Sequence, residues 1–243
     1  MIYILLPCYN EYKNLIKIFP KINKIFDNYK IIMVNDCSND QTHEKLNYLK
    51  RISRYKIDYI LHQKNLGLNM ALYSGFKHFL KNGKISDIIV TLDSDNTHPI
   101  NLIPRMVKKI KKYNFDIVIA SRFTKKSKIT GLGFHRKILS EGARILFKIF
   151  LPIQNVNDYT CNFRAYKYSC IKKSKVINRK FFLYKDFSLI SDLLVKLDKK
   201  NKDLLISEEP LFLSYGKKQG ESKLKVFRNI LLTIKVIIRN LIF

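Results

Sequence analysis

A chain of 243 residues with 47% apolar side chains can bury a full core, which excludes a disordered chain and removes any need for disulfides or structural zinc. Its 46 Lys and Arg against 19 Asp and Glu leave a net charge of +27, a field that favours polyanionic partners: nucleic acid, anionic membrane or phosphorylated substrates. Cys8, Cys37, Cys161 and Cys170 form no Cys-x-x-Cys pair and have no His at zinc spacing, so they read as reduced thiols of a cytosolic compartment.

The first apolar run, residues 2–6, reads as a buried strand stopped by Pro7. It is too short for a signal peptide and lacks a basic leader, and no apolar segment reaches the length of a bilayer span. Helical periodicity follows at 15–26, a second strand at 30–34, a polar turn at 35–39, a helix at 42–52 and a third strand at 57–61. Residues 67–80 are helical with Ala71, Leu72, Gly75 and Phe76 inward, 88–92 form a fourth strand, 99–113 a helix with a basic outer face, and 116–120 a fifth strand. Short, wholly apolar strands alternating with helices predict an α/β fold, a mostly parallel sheet covered on both faces.

The second half is less regular. Residues 125–133 read as a mobile loop, 138–151 as an apolar helix ended by Pro152, 158–166 as a strand, 187–197 as a helix, and 204–206 and 211–213 as short strands around Pro210. Residues 1–215 form one catalytic domain on this reading, with 216–243 as a loop and C-terminal helix. At 100° per residue the tail places Lys225, Arg228, Lys235 and Arg239 on one face and Phe227, Ile230, Leu231, Ile234, Ile237, Ile238 and Leu241 on the other. Two placements fit: a helix in a membrane interface with its basic face toward anionic headgroups, or a terminal helix packed on the domain, a partner subunit or a membrane protein.

Ligands of parallel sheets bind outside the carboxyl ends of the strands. The polar clusters at 7–11, 35–42, 93–98 and 121–122 all follow strands and should meet in one crevice. Asp93-Ser94-Asp95 is the most informative of them. Alone it fits a solvated turn; in that crevice, two carboxylates one residue apart suit a hard divalent cation, Mg2+ or Mn2+, held against a diphosphate. Asp40 fits a helix cap, Arg144 a structural ion pair, His98 a scaffold hydrogen bond or a metal ligand, and Asp158 a partner for Arg164.

In order along the chain, Pro7-Cys8-Tyr9-Asn10-Glu11, Val34-Asn35-Asp36 through Thr42, Asn65-Leu66-Gly67 with Ala71 and Gly75, Asp93-Ser94-Asp95 and Ser121-Arg122 resemble the family 2 glycosyltransferases of the GT-A fold. Arg136-Lys137 with Ser140 and Arg144, Asp158-Tyr159-Thr160 with Phe163-Arg164, and Gly220-Glu221-Ser222-Lys223 are similar to the dolichol-phosphate mannose synthase branch. The resemblance implies transfer of a hexose from GDP-mannose or a UDP-sugar to a polyprenyl phosphate, with inversion, by a protein peripheral on the cytoplasmic face of a membrane. It implies nucleotide contacts from Pro7, Tyr9, Glu11, Asp36 and Ser94, a metal and diphosphate site at Asp93 and Asp95, phosphate contacts from Arg122, Lys217 and Lys223, and an acceptor-phosphate side at Arg136 and Ser140; an anionic acceptor calls for cations around it, which Arg136 and Arg164 provide.

Three positions depart from that pattern: Asn35 where a second Asp is frequent, Thr97 where mannose synthases carry a metal-holding Gln, and Lys217 where an Arg precedes Gly-x-Ser-Lys. A Lys supplies point charge without bidentate geometry. The alternative is a family 2 enzyme of cell-surface polysaccharide synthesis that uses a sugar hydroxyl. It needs a carboxylate base, for which Asp158 and Asp186 are the candidates. A nucleic-acid partner is not expected, because the chain shows no helix-turn-helix, zinc-finger or RNP signature.

Overall fold

The structure, a computed structural model, describes residues 1–25, 28–53, 56–131, 133–182, 189–214 and 226–242, with side chains outside the description at 134–136, 214 and 226–230. Its centre is a seven-stranded sheet in the order β3-β2-β1-β4-β7-β5-β8. The strands are β1 (Ile2–Cys8), β2 (Tyr29–Asn35), β3 (Ile57–Leu61), β4 (Ile88–Thr91), β5 (Ile117–Ser121), β7 (Arg164–Lys167) and β8 (Ile206–Pro210). All neighbouring pairs are parallel except those of β7, which runs antiparallel between β4 and β5. Every residue of β1, β4 and β5 is buried, as expected for central strands covered on both faces.

The covering helices are α1 (Tyr12–Asn23), α2 (Thr42–Ile52), α3 (Leu68–Asn82) and α4 (Ile103–Tyr113) in the first half. Gly75 lets α3 lie directly on β1: a Cβ there would stand 2.1 Å from Leu5 Cδ1. The expected α/β architecture and its first-half elements are present, α1 beginning three residues earlier than periodicity alone indicates.

The second half differs more. The strand expected from 158 begins only at Arg164; before it, Asp158–Asn162 is loop. The segment read as a mobile loop contains β6 (Lys128–Thr130), which pairs in parallel with β9 (Phe212–Ser214) as a separate two-stranded sheet. Four further helices follow: α5 (Phe134–Phe150), α6 (Tyr168–Ser174), α7 (Arg179–Phe182) and α8 (Leu189–Lys200). Phe181 and Phe182 are buried, so they pack in the core.

The last helix, α9 (Val226–Ile242), packs on α5 and α8. It turns a mixed edge inward: Val236, Ile237 and Asn240 are buried and Arg239 is partly buried, while Lys235 is exposed. Arg239 pairs with Asp192 of α8, Asn240 Nδ2 donates to Asp192 Oδ1 at 2.6 Å, and Lys199 donates to the Asn240 carbonyl. Leu231, Ile234, Ile238 and Leu241 stay exposed, as do Ile138, Ile145, Ile149 and Phe150 of α5. The expected orientation, basic face outward, is therefore reversed at Arg239: a fully buried carboxylate draws that charge in. Among the described residues no helix is long and apolar enough to cross a membrane.

Candidate active site

Three parallel strands end in tight turns that use left-handed backbone: Asn10 (φ 56°) after β1, Cys37 (φ 58°) after β2 and Asn96 (φ 60°) after β4. Asn tolerates this region better than most residues. The turns are laced together. Asn10 N–H donates to Ser38 Oγ and Asn10 Oδ1 accepts Asn39 N–H, both at 3.0 Å. Asp40 accepts Thr42 N–H at 2.9 Å and Tyr12 N–H at 3.4 Å, so it serves the starts of both α2 and α1. Glu11 N–H donates to Thr42 Oγ1, and its Oε2 accepts Asn14 Nδ2 at 2.7 Å. Pro7 is buried at the end of β1, while Tyr9 and Glu11 are partly exposed beyond it.

Asp36, expected to meet the nucleotide base, is almost wholly buried. Its Oδ1 accepts Leu66 N–H at 2.9 Å and pairs with His62 Nδ1 at 2.7 Å; its Oδ2 accepts Gly67 N–H at 2.7 Å. Gly67 has φ 85°, a conformation that a side chain would strain. Asp36 therefore fixes the Asn65-Leu66-Gly67 turn beside the crevice. Asn35 has both ends of its amide engaged, Nδ2 to Tyr59 Oη at 3.0 Å and Oδ1 by Ser38 N–H and Oγ. The departure at position 35 thus places an amide that donates to Tyr59 and accepts from Ser38.

The Asp93-Ser94-Asp95 turn leaves β4 with its two carboxylates partly exposed and its serine inward. Asp93, 40% exposed at the side chain, accepts Asn162 Nδ2 at 3.0 Å. Asp95 accepts the Thr97 N–H at 3.1 Å and its hydroxyl at 2.6 Å. Thr97 is thus a clamp on Asp95. Ser94, expected to contact the nucleotide, instead donates to the Pro7 carbonyl at 2.8 Å and lies 3.3 Å from Cys8 Sγ. Burial pushes the Cys8 thiol up to about 12, so it stays protonated and inert. His98 accepts Asp93 N–H through Nδ1 at 3.1 Å and stacks on Phe163, which makes it a scaffold residue.

Antiparallel β7 explains why chain from the second half reaches this point. Its start lies level with the end of β4, Thr91 opposite Arg164, so the preceding loop arrives at the carboxyl ends of the parallel strands. Thr91 Oγ1 secures it through the Asn162 carbonyl at 2.6 Å. Asn162 was not singled out from sequence, because nothing local announces an antiparallel strand inserted between two parallel ones.

Asp158 in the same loop is fully buried and holds Arg122. Its Oδ2 accepts Arg122 N–H at 2.9 Å and Nε at 2.8 Å; Oδ1 accepts Nη2 at 2.6 Å. Arg122 also donates to Thr160 Oγ1. Burial would raise the Asp158 pKa, but the Arg122 charge and hydrogen bonds, with the Cys161 N–H, outweigh it and hold the carboxyl below its ordinary value. Asp158 therefore partners Arg122, not Arg164.

Arg164 does not reach the crevice. It is fully buried, with Nη1 donating to the Ile190 carbonyl at 2.9 Å and Nη2 to the Tyr159 carbonyl at 2.7 Å. The expectation that it receives an acceptor phosphate gives way to a role tying β7 to its own loop and to α8. Arg144 pairs with Glu141 at 2.6 Å, as an ion pair within α5. Ser140 is partly exposed on the same helix. Arg136 lies in the first turn of α5, its side chain outside the described ones; Lys217, Lys223 and Asp186 lie outside the described residues.

A mostly parallel sheet with an Asp-x-Asp turn after its fourth strand, and polar turns gathered at the strand ends, is the arrangement of the GT-A class of sugar-transferase fold. Residues 3–177 match the family described as Glycosyl transferase family 2, and the chain belongs to it. It is 32% identical over 226 residues to the dolichol-phosphate mannosyltransferase of Pyrococcus furiosus, covering 91% of this chain and 58% of that protein. To the undecaprenyl-phosphate mannosyltransferase of Micrococcus luteus it is 27% identical over 164 residues, 67% of this chain and 65% of that one. This chain thus spans well under two thirds of the archaeal relative. Among solved structures, it is similar to glucosyl-3-phosphoglycerate synthase from Mycobacterium tuberculosis in complex with Mn2+, UDP and phosphoglyceric acid, at TM-score 0.65 and 15% identity, covering 98% of this chain and 76% of that one. The same enzyme with Mg2+ and UDP gives TM-score 0.64 at 14% identity, covering 98% and 76%.

Proposed function

We propose that this chain transfers a hexose from a nucleotide-sugar, GDP-mannose or a UDP-sugar, to a polyprenyl phosphate, with inversion at the anomeric carbon. Residues 1–215 form the catalytic domain and 216–243 an appended loop and helix. The relatives from Pyrococcus and Micrococcus, described as dolichol- and undecaprenyl-phosphate mannosyltransferases, support the acceptor class.

The carrying observation is the state of Asp158. A sugar hydroxyl must lose a proton as it attacks and wants a carboxylate base, whereas a phosphate monoester is already anionic. Asp158, the described acceptor-side carboxylate that could serve, is buried and engaged by Arg122 through three hydrogen bonds. That arrangement favours the phosphate acceptor.

Asp93 and Asp95 fit a divalent cation. Their oxygens are hard donors and each carboxylate is oriented by a neighbour. Among the described residues no group of three or more His, Cys, Asp or Glu is gathered to hold a metal; on this reading the remaining positions go to diphosphate oxygens and water. Mg2+ or Mn2+ held there would supply charge neutralisation at the departing nucleoside diphosphate. Arg122 adds hydrogen bonds toward a phosphate, Pro7, Tyr9, Glu11 and Asp36 shape the nucleotide side, and Lys217, Lys223 and Arg136 add cationic contacts.

The protein works peripherally, on the cytoplasmic face of a membrane. The exposed apolar residues of α5 and α9 support that reading as the face that meets lipid.

The test is direct. The purified 243-residue chain, dolichyl or undecaprenyl phosphate, Mn2+ and a panel of GDP-, UDP- and dTDP-sugars should give a lipid-linked sugar, with at least a hundredfold loss in Asp95→Ala. No lipid-linked product from any donor, with active transfer to a free glycan hydroxyl, would replace this reading with the polysaccharide one.

A further inference from the structure

Glu208 stands on β8, opposite Ile119 of β5. Its side chain crosses to the turn that carries Asp158. Oε1 accepts the Asn157 N–H at 2.6 Å and the Asp158 N–H at 2.7 Å, while Oε2 accepts Asn157 Nδ2 at 3.0 Å. The remaining amide atom of Asn157, Oδ1, accepts Lys148 Nζ of α5 at 2.7 Å. The turn is therefore gripped from the sheet on one side and from a helix on the other.

What the turn presents is Asp158, and Asp158 decides where Arg122 points. It takes the backbone N–H, Nε and Nη2 of that one residue. A guanidinium paired so closely with a carboxylate has little net long-range field. It acts on a phosphate by directional hydrogen bonds, which weaken quickly when the fork rotates. The orientation of the turn then matters as much as the presence of the arginine.

We propose that Glu208 is a positioning residue: it fixes the Asn157–Asp158 turn, and through Asp158 it sets the direction in which Arg122 meets a phosphate ligand. The proposal rests on Arg122 being a phosphate contact, as stated above. A merely structural Glu208 would hold the turn without affecting what Arg122 binds. A double-mutant cycle separates the two.

The wild-type chain, Arg122→Ala, Glu208→Gln and the double variant are titrated by calorimetry with GDP or UDP plus Mn2+, and with farnesyl monophosphate as a soluble acceptor phosphate. Whichever probe Arg122→Ala weakens, Glu208→Gln weakens about tenfold in the wild-type background and less than twofold once Arg122 is absent. The same factor in both backgrounds, or no change in either, overturns the positioning role while leaving the Arg122 reading intact. If Arg122→Ala weakens neither probe, the Arg122 reading itself falls and this proposal with it. If wild type binds neither probe, the proposed function falls. Should Glu208→Gln not fold, Asn157→Ala, which removes one donor to Glu208 and the acceptor for Lys148, takes its place in the same cycle.

Discussion

On the function proposed above, Asp158 combines a stability role with a positioning one. It is fully buried, yet ionised, because Arg122 and two backbone N–H groups of its own loop surround it. Its folded pKa lies below the ordinary value of 3.8, so the stability it contributes is present above that value and is lost as pH falls through the lowered folded one. Asp158→Asn keeps the shape but leaves Arg122 without its counter-charge, a change that costs about 3–5 kcal/mol for a buried pair. In denaturant titrations the deficit should stay constant from neutral pH down to about pH 4 and narrow below it. A deficit that persists unchanged into strong acid would show that the carboxylate does not titrate with folding. Thr97 works in the same manner on a smaller scale: the residue that departs from the mannose-synthase pattern holds Asp95 through its hydroxyl, so the turn is ordered without the glutamine.

At the scale of elements, the first half was legible and the second only in part. β1, β2 and β4 are short, wholly apolar runs followed at once by turn residues, and both signals are local. β7 is four residues long and earns its place only by pairing with strands more than 40 residues away, which no window of sequence displays. The site inherits this split. Asp93, Asp95 and Asp36 could be read from their strand ends, whereas Asn162 and Glu208 act across elements. Arg164, charged and next to motif residues, looked like a ligand contact, but it is a core residue bonded to two carbonyls. For α9, periodicity assigns residues to faces but does not show that the seam between them, with Ile237 and Arg239, turns inward. That choice is made by Asp192, fully buried 47 positions before Arg239. Arg239→Ala should uncover this carboxylate at a cost of about 3–5 kcal/mol and release the helix. Hydrogen exchange of the α9 amides would rise at least tenfold, with the central strands unchanged. Replacing both partners by leucine should restore protection, since an apolar pair carries no stranded charge. Unaltered exchange in the single variant would mean that Val236 and Ile237 alone hold α9 in place.

For the whole molecule the question is what a chain of net charge +27 does with an uncovered apolar face. Charge alone would attract any anionic surface, and that attraction should fade in salt within the Debye length. Apolar insertion adds a contribution that salt does not remove. The exposed side chains on α5 and α9 allow the two to be separated without touching charge. Ile149→Ser, Ile238→Ser and Leu241→Ser together leave the net charge at +27, and all three wild-type residues are at least half exposed, so the fold loses little. Each should remove on the order of 1 kcal/mol of lipid contact, given that full burial of such a side chain contributes roughly 1.5–3 kcal/mol. The triple variant should then bind phosphatidylglycerol liposomes about a hundredfold more weakly in 0.5 M NaCl, and differ less in low salt, where the basic surface still attracts. Equal binding of wild type and variant at both ionic strengths would assign the association to charge alone. A concentration-dependent dimer of the wild type, lost in the triple variant and indifferent to liposomes, would assign the face to a second copy of the chain. The lipid outcome has a geometric consequence for the proposed chemistry. α5 carries Arg136 in its first turn and, in its last, Lys148, which bonds Asn157 of the turn that holds Arg122, so a helix that touches the bilayer would also reach the turn beside which the proposed function puts the acceptor phosphate.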